Sequence, residues 1–335
     1  MKAMLFCAGV GSRLLPITET VPKPMVDFFG KPLVDYTLSQ LADWGIDEIV
    51  VNLFHRPMTI KRHILSRWRS KFGLHFSKEQ ELLGTGGGLK RAERLLGDET
   101  FLAVNSDFVL DPSIDMEHVV QMHSKRAAAA TLLLAQRKSQ KYTPIQTDAE
   151  GRISMLGGLF GTADGERPSY VFCGLHILEA AIFEYLCSGR PDTVMSANVK
   201  MLRTGLLVQG FVHNGYWQEL GDKEGYLQAH FDVLDGSSPL RRAVEMAGNY
   251  AIIKHNDQAE TMEKLGIDVS SGAKIEPPVA LGASCSIGKG ASVGPYVIVG
   301  EGASVGRGAK ITRSVVWRGA KIAPDAVLAN EIVPS

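Results

Sequence analysis

Cysteine is scarce in this chain, and long apolar runs are missing from it. The four cysteines are scattered with no C-x-x-C pair among them, at Cys7, Cys173, Cys187 and Cys285. Neither a zinc knuckle nor a disulfide framework is indicated, so we expect reduced thiols in a cytoplasmic protein. No stretch approaches the roughly 20 apolar residues that span a bilayer, and we expect no membrane partner.

An excess of charge of one sign is missing as well. Lys plus Arg number 36, Asp plus Glu also number 36, and the formal net charge is zero. This balance argues against a protein that coats nucleic acid, although a small phosphorylated ligand needs only a local positive site. The 335 residues are 45% hydrophobic and 21% charged. These values are typical of a globular chain of about two domains.

Residues 1–235 alternate strand patterns with helix patterns. The predicted elements are a strand at KAMLFC, a helix over 33–44 ended by Gly45, a strand over 47–54, a helix over 57–70, a strand at LHFS, a helix over 87–96 and a strand over 101–107. This order predicts an α/β domain with a Rossmann-like, mostly parallel sheet covered by helices on both faces. Ligands of such sheets bind at the carboxyl ends of the strands, where a glycine-rich segment and Asp107 lie.

A different period begins at residue 269. One aliphatic residue recurs every six positions and, after a slip of one residue, the period resumes; the positions are Val269, Ile275, Leu281, Ile287, Val293, Val299, Val305 and Ile311, then Val316, Ile322 and Leu328. This hexapeptide repeat predicts a parallel β-helix over 269–332. Residues 236–268 are less regular, and we interpret them as a linker with room for one helix.

The segment AGVGSRL at 8–14 combines glycine with positive charge, a pattern suited to phosphate. A Walker A loop requires G-x4-G-K-[ST], which is absent. A dinucleotide-binding loop requires a third glycine where Leu14 stands, and an acidic residue about 20 positions on that is not found. Both kinds of nucleotide site are therefore disfavoured.

The glycine-rich segment belongs to a longer pattern, G-x-G-x-R-L-x-P-x-T followed by P-K-P, whose fixed positions are Gly9, Gly11, Arg13, Leu14, Pro16, Thr18, Pro22, Lys23 and Pro24. This pattern resembles the signature of the sugar-1-phosphate nucleotidyltransferases. Further segments that resemble motifs of this family are LGTGGGLK at 83–90, NSD at 105–107, VFCGLHIL at 171–178 and GYWQELGDKEGY at 215–226. The resemblance covers the whole chain, because many members carry a C-terminal left-handed β-helix of hexapeptide repeats.

The resemblance implies a reaction between an NTP and a sugar 1-phosphate that forms an NDP-sugar and releases pyrophosphate, with Mg²⁺ as cofactor. Arg13 would hold the departing phosphates, Lys23 the α-phosphate, and Asp107 and Glu219 the metal. Nucleotide binding is implied for Ala8, Gly9, Gly11, Ser12, Gly84, Thr85, Gly86 and Gly87, and sugar binding for Gly174. Because the attacking phosphate is already an anion, positioning and charge neutralisation suffice, and no general base is required.

Three positions depart from the family pattern. Ser106 stands where glycine is usual, and its small side chain should be tolerated. Glu219 stands where the second metal-binding Asp is usual, which keeps the carboxylate but lengthens it by one methylene. The third departure is larger, because the matching region GRISMLGGLFGT at 151–162 lacks the lysine that holds the sugar phosphate in many members.

The sugar and the base stay open at this point. The GTGGG form and Val51, Asn52 and His55 resemble muramate and heptose 1-phosphate nucleotidyltransferases, whereas SVVWRGAKI at 314–322 resembles mannose-1-phosphate guanylyltransferases. We take a GDP-mannose-type product as the first hypothesis. A non-catalytic regulatory or nucleotide-sugar-sensing relative is the alternative.

The β-helix of bifunctional relatives is an acetyltransferase with a catalytic histidine. Here the last histidine is His255, so no imidazole within 269–335 is available as a general base. We therefore interpret this domain as a module for homo-oligomerisation and stability.

Overall fold

The computed structural model describes residues 1–136, 141–254 and 259–335. Its backbone contacts divide the chain into two compact units, which are described separately. The first unit consists of Met1–Ser12, Thr18–Met25 and Leu33–Trp217, and the second of Arg13–Ile17, Val26–Pro32 and Gln218–Ser335. The predicted boundaries at 235 and 268 stay predictions, and His255 lies outside the described residues.

The first unit is built on a sheet of seven strands within the described residues. These and three shorter strands are β1 (Lys2–Phe6), β2 (Glu48–Leu53), β3 (Gly73–Lys78), β4 (Phe101–Asn105), β5 (Phe108–Leu110), β6 (Ala130–Ala135), β7 (Ile145–Thr147), β8 (Ile153–Leu156), β9 (Val171–Leu178) and β10 (Val208–His213). The strand order in the large sheet is β10-β6-β9-β4-β1-β2-β3. Only β9 runs antiparallel to its neighbours, so the predicted mostly parallel sheet is confirmed.

Helices cover both faces of this sheet. They are α1 (Leu33–Asp43), α2 (Pro57–Trp68), α3 (Gly84–Leu96), α4 (Met116–Lys125) and α5 (Val194–Arg203), with shorter turns at Ser12–Leu14, Ile17–Thr20, Lys23–Met25 and Ala180–Glu184. Successive residues of a strand point to opposite faces. Accordingly Leu5 packs in the same buried cluster as Leu38 of α1, and Met4 in the same cluster as Leu89 of α3.

The predicted helix over 87–96 begins three residues earlier, at Gly84. Each glycine inside a helix costs about 1 kcal/mol relative to alanine, which is why the GTGGG run reads as a loop in the sequence. Tertiary packing against the glycines, described below, overrides this local preference.

The second unit contains α6 (Lys223–Asp235), α7 (Leu240–Ala247) and α8 (Ala259–Lys264), together with a strand at Tyr250–Ile253 and a short hairpin of Asp27–Phe28 and Lys31–Pro32. The strand β11 (Trp217–Glu219) begins on the last residue of the first unit. The described part of the range interpreted as a linker thus includes α7, α8 and the strand Tyr250–Ile253. That strand pairs antiparallel with Val279–Gly282, the first strand of one β-helix sheet.

The hexapeptide repeats form three sheets of short parallel strands, and the predicted β-helix is confirmed. The strands are Asp268–Val269, Lys274–Ile275, Val279–Gly282, Ser286–Ile287, Ser292–Val293, Val297–Val299, Ser304–Val305, Lys310–Thr312, Val315–Val316, Lys321–Ile322, Val327–Ala329 and Ile332–Val333. Val269 pairs with Ile287, three hexads on. Val299 pairs with Val316, so the slip in the sequence shortens that coil by one residue. Homo-oligomerisation through this domain stays a prediction.

Adjacent coils of the β-helix approach each other closely at their corners. A Cβ atom on Gly300 would lie 2.4 Å from the backbone nitrogen of Arg318 in the next coil. The four glycines with such an approach, Gly282, Gly288, Gly300 and Gly306, are therefore needed for coil stacking, while the aliphatic side chains fill the interior. No helix in the described part of the chain has the length and hydrophobicity that a membrane crossing requires.

Two valines of the β-helix test whether the buried aliphatic side chains form its core. Val299 is fully buried and Val327 is 74% exposed. We expect Val299→Ala to lower the free energy of unfolding by roughly 2 kcal/mol, because two buried methyl groups are lost and a cavity is left. The matched control Val327→Ala should change it by less than about 0.5 kcal/mol. Chemical denaturation of both variants measures this, and equal losses would contradict a core centred on the hexad positions.

Candidate active site

A cleft opens at the carboxyl ends of β1 and β4 in the first unit. Its lining residues are Phe6, Cys7, Gly9, Lys23, Pro24, Thr85, Asn105, Ser106 and Asp107. The structure therefore brings together four residues that the sequence proposed for separate tasks, Gly9, Lys23, Thr85 and Asp107. They come from segments far apart in the chain, and the parallel sheet places them at one edge.

Lys23 and Asp107 form an ion pair in this cleft. Their side chains are only 13% and 16% exposed, so the pair is shielded from most of the solvent. Lys23 lies between two prolines and begins a short turn, Lys23–Met25. Proline restricts the backbone conformation on either side of the lysine. A positive and a negative charge thus face the same cleft at defined positions.

The two glycines of the first loop have different surroundings. Gly11 has a φ of +70°, and a Cβ atom there would lie 2.8 Å from Cγ2 of Thr18. Its carbonyl oxygen accepts a hydrogen bond from the Thr18 hydroxyl at 2.8 Å. Gly9 is exposed, and no atom lies within 4 Å of its Cβ position. Gly11 is thus required by the fold of the loop, whereas Gly9 leaves the backbone open to the cleft.

The remaining residues of this loop are less exposed to the cleft. Ala8 is buried at 5% exposure, and Ser12 begins the turn Ser12–Leu14. Neither lines the cleft, and their assignment to nucleotide binding stays a prediction.

The glycines of the GTGGG run pack against the backbone that precedes α5. A Cβ atom on Gly84 would lie 2.4 Å from the carbonyl oxygen of Asp192, and one on Gly86 would lie within 2.9 Å of the Thr193 backbone. Gly87 faces the carbonyl of Arg190 in the same way, at 2.8 Å. These contacts give Gly84, Gly86 and Gly87 a packing role in the first unit.

Thr85 differs from its glycine neighbours, because it lines the cleft. Its hydroxyl oxygen accepts a hydrogen bond from the backbone N–H of Val194 at 3.2 Å. The same threonine therefore joins α3 to the start of α5 and contributes to the wall of the cleft.

A buried amide and a buried carboxylate connect the two glycine-rich segments, and neither was predicted as a site residue. Asn52 accepts a hydrogen bond from the backbone N–H of Cys7 at 2.8 Å and donates one to Glu79 at 2.7 Å. Glu79 also accepts from the backbone N–H of Leu83 at 3.1 Å. In the sequence Asn52 served only as a subgroup marker, and Glu79 carries no local signal.

Ser106 has a contact that glycine could not make. Its hydroxyl donates to the carbonyl oxygen of Phe6 at 2.7 Å, which joins the ends of β1 and β4 beside Asp107. Burial raises the pKa of the neighbouring Cys7 thiol to about 12. Cys7 is thus a protonated wall residue of the cleft at neutral pH, not a nucleophile.

Gly174 lies in β9 with a φ of +86°. A Cβ atom there would fall 2.8 Å from the ring of Phe108 and 3.2 Å from Nδ2 of Asn105, which lines the cleft. Trp217 is buried and donates from Nε1 to the carbonyl of Cys173 at 2.9 Å. The sugar-binding assignment of Gly174 stays a prediction, and the structure shows why no larger residue fits there.

Arg13 and Glu219 belong to the second unit and pair with each other at 2.9 Å, with Asp222 at 3.9 Å from the Arg13 guanidinium. A Cβ atom on Gly221 would lie 2.4 Å from Oε1 of Glu219 and 2.9 Å from the guanidinium. The glycine after the Trp-x-Glu sequence therefore makes space for this ion pair. The longer Glu219 reaches the arginine, while its position as a metal ligand stays a prediction.

Residues 26–32 also belong to the second unit and are held there by aromatic side chains. The Tyr226 hydroxyl donates to the carbonyl oxygen of Asp27, and Trp317 of the β-helix donates to that hydroxyl at 3.0 Å. Phe28 and Phe29 pack against the ring of His230, with centroids 4.5 Å and 5.0 Å away. The segment that follows the P-K-P sequence is thus anchored on α6 and on the β-helix.

The carboxylates of the described residues form no preformed metal centre. In the described ranges, no group of three or more His, Cys, Asp or Glu side chains is placed to hold a metal ion.

Gly86 and Gly9 allow a matched test of packing against ligand approach. We expect Gly86→Ala to lower the free energy of unfolding by about 1–3 kcal/mol, because its Cβ meets the Thr193 backbone. Gly9→Ala should leave the melting temperature unchanged, because the space around it is open, and should weaken binding of the NTP that the sequence predicts as a ligand. Thermal denaturation and calorimetric titration measure the two effects. Equal destabilisation by both changes would refute the distinction.

Comparison with known families identifies both regions of the chain. A family model described as "Nucleotidyl transferase" matches residues 2–236, and one described as "GMPPB C-terminal domain" matches residues 275–335. Among curated proteins, the chain is similar to a UTP–glucose-1-phosphate uridylyltransferase of Synechocystis, with 26% identity over 99% of this chain and 87% of that protein. It is also similar to mannose-1-phosphate guanylyltransferase 1 of Arabidopsis thaliana, with 24% identity over 99% of this chain and 86% of the relative.

Solved structures show the same fold. A UDP-glucose pyrophosphorylase complexed with UDP-glucose has a TM-score of 0.57 at 21% identity, over 68% of this chain and 96% of that one. A UDP-glucose pyrophosphorylase from Acinetobacter has a TM-score of 0.60 at 17% identity, over 73% of this chain and 98% of that one. The family match, the sheet and the cleft agree, and the chain belongs to the nucleotidyl transferase family.

Proposed function

We propose that this protein transfers a nucleoside monophosphate from an NTP to a sugar 1-phosphate, forming an NDP-sugar and releasing pyrophosphate. The observation that supports it most directly is the cleft in which the Lys23–Asp107 ion pair faces the open backbone of Gly9. An open backbone can approach phosphate, a lysine can neutralise it, and a carboxylate can hold a metal. These are the elements that a transfer between anionic partners requires.

The reaction requires the protein to position the two substrates and to neutralise their negative charge. The phosphate of the sugar attacks the α-phosphorus of the NTP in line with the leaving pyrophosphate, and both partners are anionic. Lys23 neutralises the α-phosphate from a rigid turn between two prolines. Arg13, whose planar guanidinium suits phosphate oxygens, binds the departing β- and γ-phosphates. No described residue needs to act as a base, because the nucleophile is already deprotonated.

We further propose that the divalent metal of this family is Mg²⁺ here, with Asp107 and Glu219 as its protein ligands. The residues fit this ion, because Mg²⁺ prefers carboxylate oxygens and is often held by one or two carboxylates plus substrate phosphates. Each carboxylate is paired with a cation, Asp107 with Lys23 and Glu219 with Arg13, and a bound metal would share or replace that contact. When bound, the metal supplies charge stabilisation to the phosphates.

For the base and the sugar we propose guanosine and mannose 1-phosphate. The C-terminal match to a "GMPPB C-terminal domain" and the relatives named mannose-1-phosphate guanylyltransferase support this choice. The missing lysine at 151–162 leaves the sugar phosphate to be neutralised by Lys23 and the metal. We therefore expect the affinity for the sugar 1-phosphate to depend more strongly on metal concentration than the affinity for the nucleotide does.

The reaction and its specificity can be tested with a matrix of NTPs against sugar 1-phosphates, with detection of pyrophosphate. We expect the highest rate with GTP and mannose 1-phosphate, and none when Mg²⁺ is removed with EDTA. A higher rate with UTP and glucose 1-phosphate would overturn the specificity but keep the reaction. A folded protein that releases no pyrophosphate in any combination would overturn the reaction in favour of a regulatory relative.

Lys23→Met tests the role of the lysine while keeping most of its side-chain volume. We expect kcat to fall by about 1,000-fold or more, because a single well-placed charge can contribute that much to phosphoryl transfer. Lys125→Met, at an exposed position in the last turn of α4, is the matched control and should leave kcat unchanged. A loss smaller than about tenfold would reduce Lys23 to a residue that merely lines the cleft.

A further inference from the structure

We propose that Asn52 and Glu79 are positioning residues that fix the distance between the two glycine-rich segments and thereby set the affinity for the NTP. The proposal rests on the proposed function, because it takes the nucleotide to bind between these segments. Neither side chain lines the cleft. Their effect on the nucleotide would therefore pass through the backbone they hold.

The connection is a continuous series of hydrogen bonds across three neighbouring strands. Asn52 is in register with Phe6 of β1 on one side and with Ser77 of β3 on the other. It accepts from the N–H of Cys7, where the first loop begins, and donates to Glu79 just beyond β3. Glu79 then accepts from the N–H of Leu83, the residue that precedes α3. One amide and one carboxylate thus join the starts of both segments.

The chemistry of the partners fixes the orientation of the Asn52 amide. The backbone N–H of Cys7 can only meet the amide oxygen, and the Glu79 carboxylate can only accept from the amide nitrogen. Both side chains are 2% exposed. Leaving either polar group unpaired at such burial is costly, so the pair has one favoured arrangement.

The Glu79 charge is held without a basic partner. No ion pair of Glu79 occurs among the described residues; its oxygens are bound by the Asn52 amide and the Leu83 backbone. The Leu83 N–H that it accepts from directly precedes the 13-residue helix α3. Glu79 therefore ties the start of α3, with Thr85 in its first turn, to the end of β2.

Gly88 provides the space for this pair. A Cβ atom on it would lie 2.7 Å from Oε1 of Glu79 and 2.8 Å from Nδ2 of Asn52. The last glycine of the GTGGG run is thus explained by the amide–carboxylate contact rather than by a ligand.

The residues that follow Asn52 hold the far end of the first loop. The His55 ring nitrogen Nε2 lies 3.1 Å from the carbonyl oxygen of Thr18, and the Arg56 guanidinium donates to the carbonyl oxygen of Glu19. The stretch from β2 into α2 therefore contacts the loop at its beginning and at its end. Of these three residues, Asn52 is also connected to the second glycine-rich segment, through Glu79.

Exchanging the two functional groups tests the proposal. Asn52→Asp removes the donor and places two carboxylates against each other, while Glu79→Gln cannot accept from both Asn52 and Leu83. Combined, the two changes restore every bond and reverse only the one between positions 52 and 79: the carboxylate at position 52 accepts from Cys7 and from the amide at position 79, whose oxygen accepts from Leu83. Glu81→Gln, at an exposed position two residues on, is the matched control.

Binding of GTP, with UTP in parallel, is measured by calorimetric titration of the full chain, and melting temperatures are recorded for each variant. We expect each single change to weaken nucleotide binding by roughly tenfold to a hundredfold. The double change should recover to within about threefold of the original, as expected for coupled partners. KM for the NTP should follow the same order, while KM for the sugar 1-phosphate stays unchanged.

Three results would overturn the proposal. The first is single variants that melt earlier but keep their nucleotide affinity, since the pair would then be structural only. The second is a double variant that is as weak as the sum of its parts, and the third is a protein that binds neither nucleotide. Nucleotide binding without any turnover would instead overturn the proposed reaction alone, since the binding comparison between variants would still stand.

Discussion

In-register parallel pairing around β1 is the constraint on which the site depends. Phe6 is aligned with Asn52 of β2 on one side and with Asn105 of β4 on the other. Because all three strands end at the same level, the segments that follow them emerge side by side. The first loop, the stretch after β2 and the NSD sequence are neighbours for this reason, and Lys23 meets Asp107 in the space between them. A shift of one residue in either pairing would turn these side chains to the opposite face.

The sequence predicted the elements that are specified by period. The six-residue spacing of aliphatic residues predicted the β-helix, and alternating strand and helix patterns predicted the parallel sheet. The start of α3 was missed, because a run of glycines has poor helix propensity and its packing partner, the backbone at Asp192–Thr193, lies about a hundred residues away. The Asn52–Glu79 contact was missed for the same kind of reason: nothing in a single sequence shows which buried polar residues meet.

Contacts in the structure account for two of the three departures from the family pattern. Ser106 stands where glycine is usual in the family. Its hydroxyl makes a hydrogen bond to the end of β1, which joins the ends of β1 and β4 beside the cleft. Glu219 keeps a carboxylate that reaches Arg13, and Gly221 gives it room. The segment 151–162 holds no lysine, and its one cation, Arg152, lies 3.5 Å from the carbonyl oxygens of Gly205 and Leu206.

The anchoring of residues 26–32 on α6 and on Trp317 has a consequence for shortened forms of this protein. The first 33 residues pass between the two units four times, so the nucleotidyltransferase signature is shared by both. A gene shortened before the hexapeptide repeats would lose Trp317, which donates to the tyrosine that holds Asp27, four residues after Lys23. The β-helix is thus tied through Tyr226 to the segment that follows Lys23, and a chain without the repeats would lose this hydrogen bond.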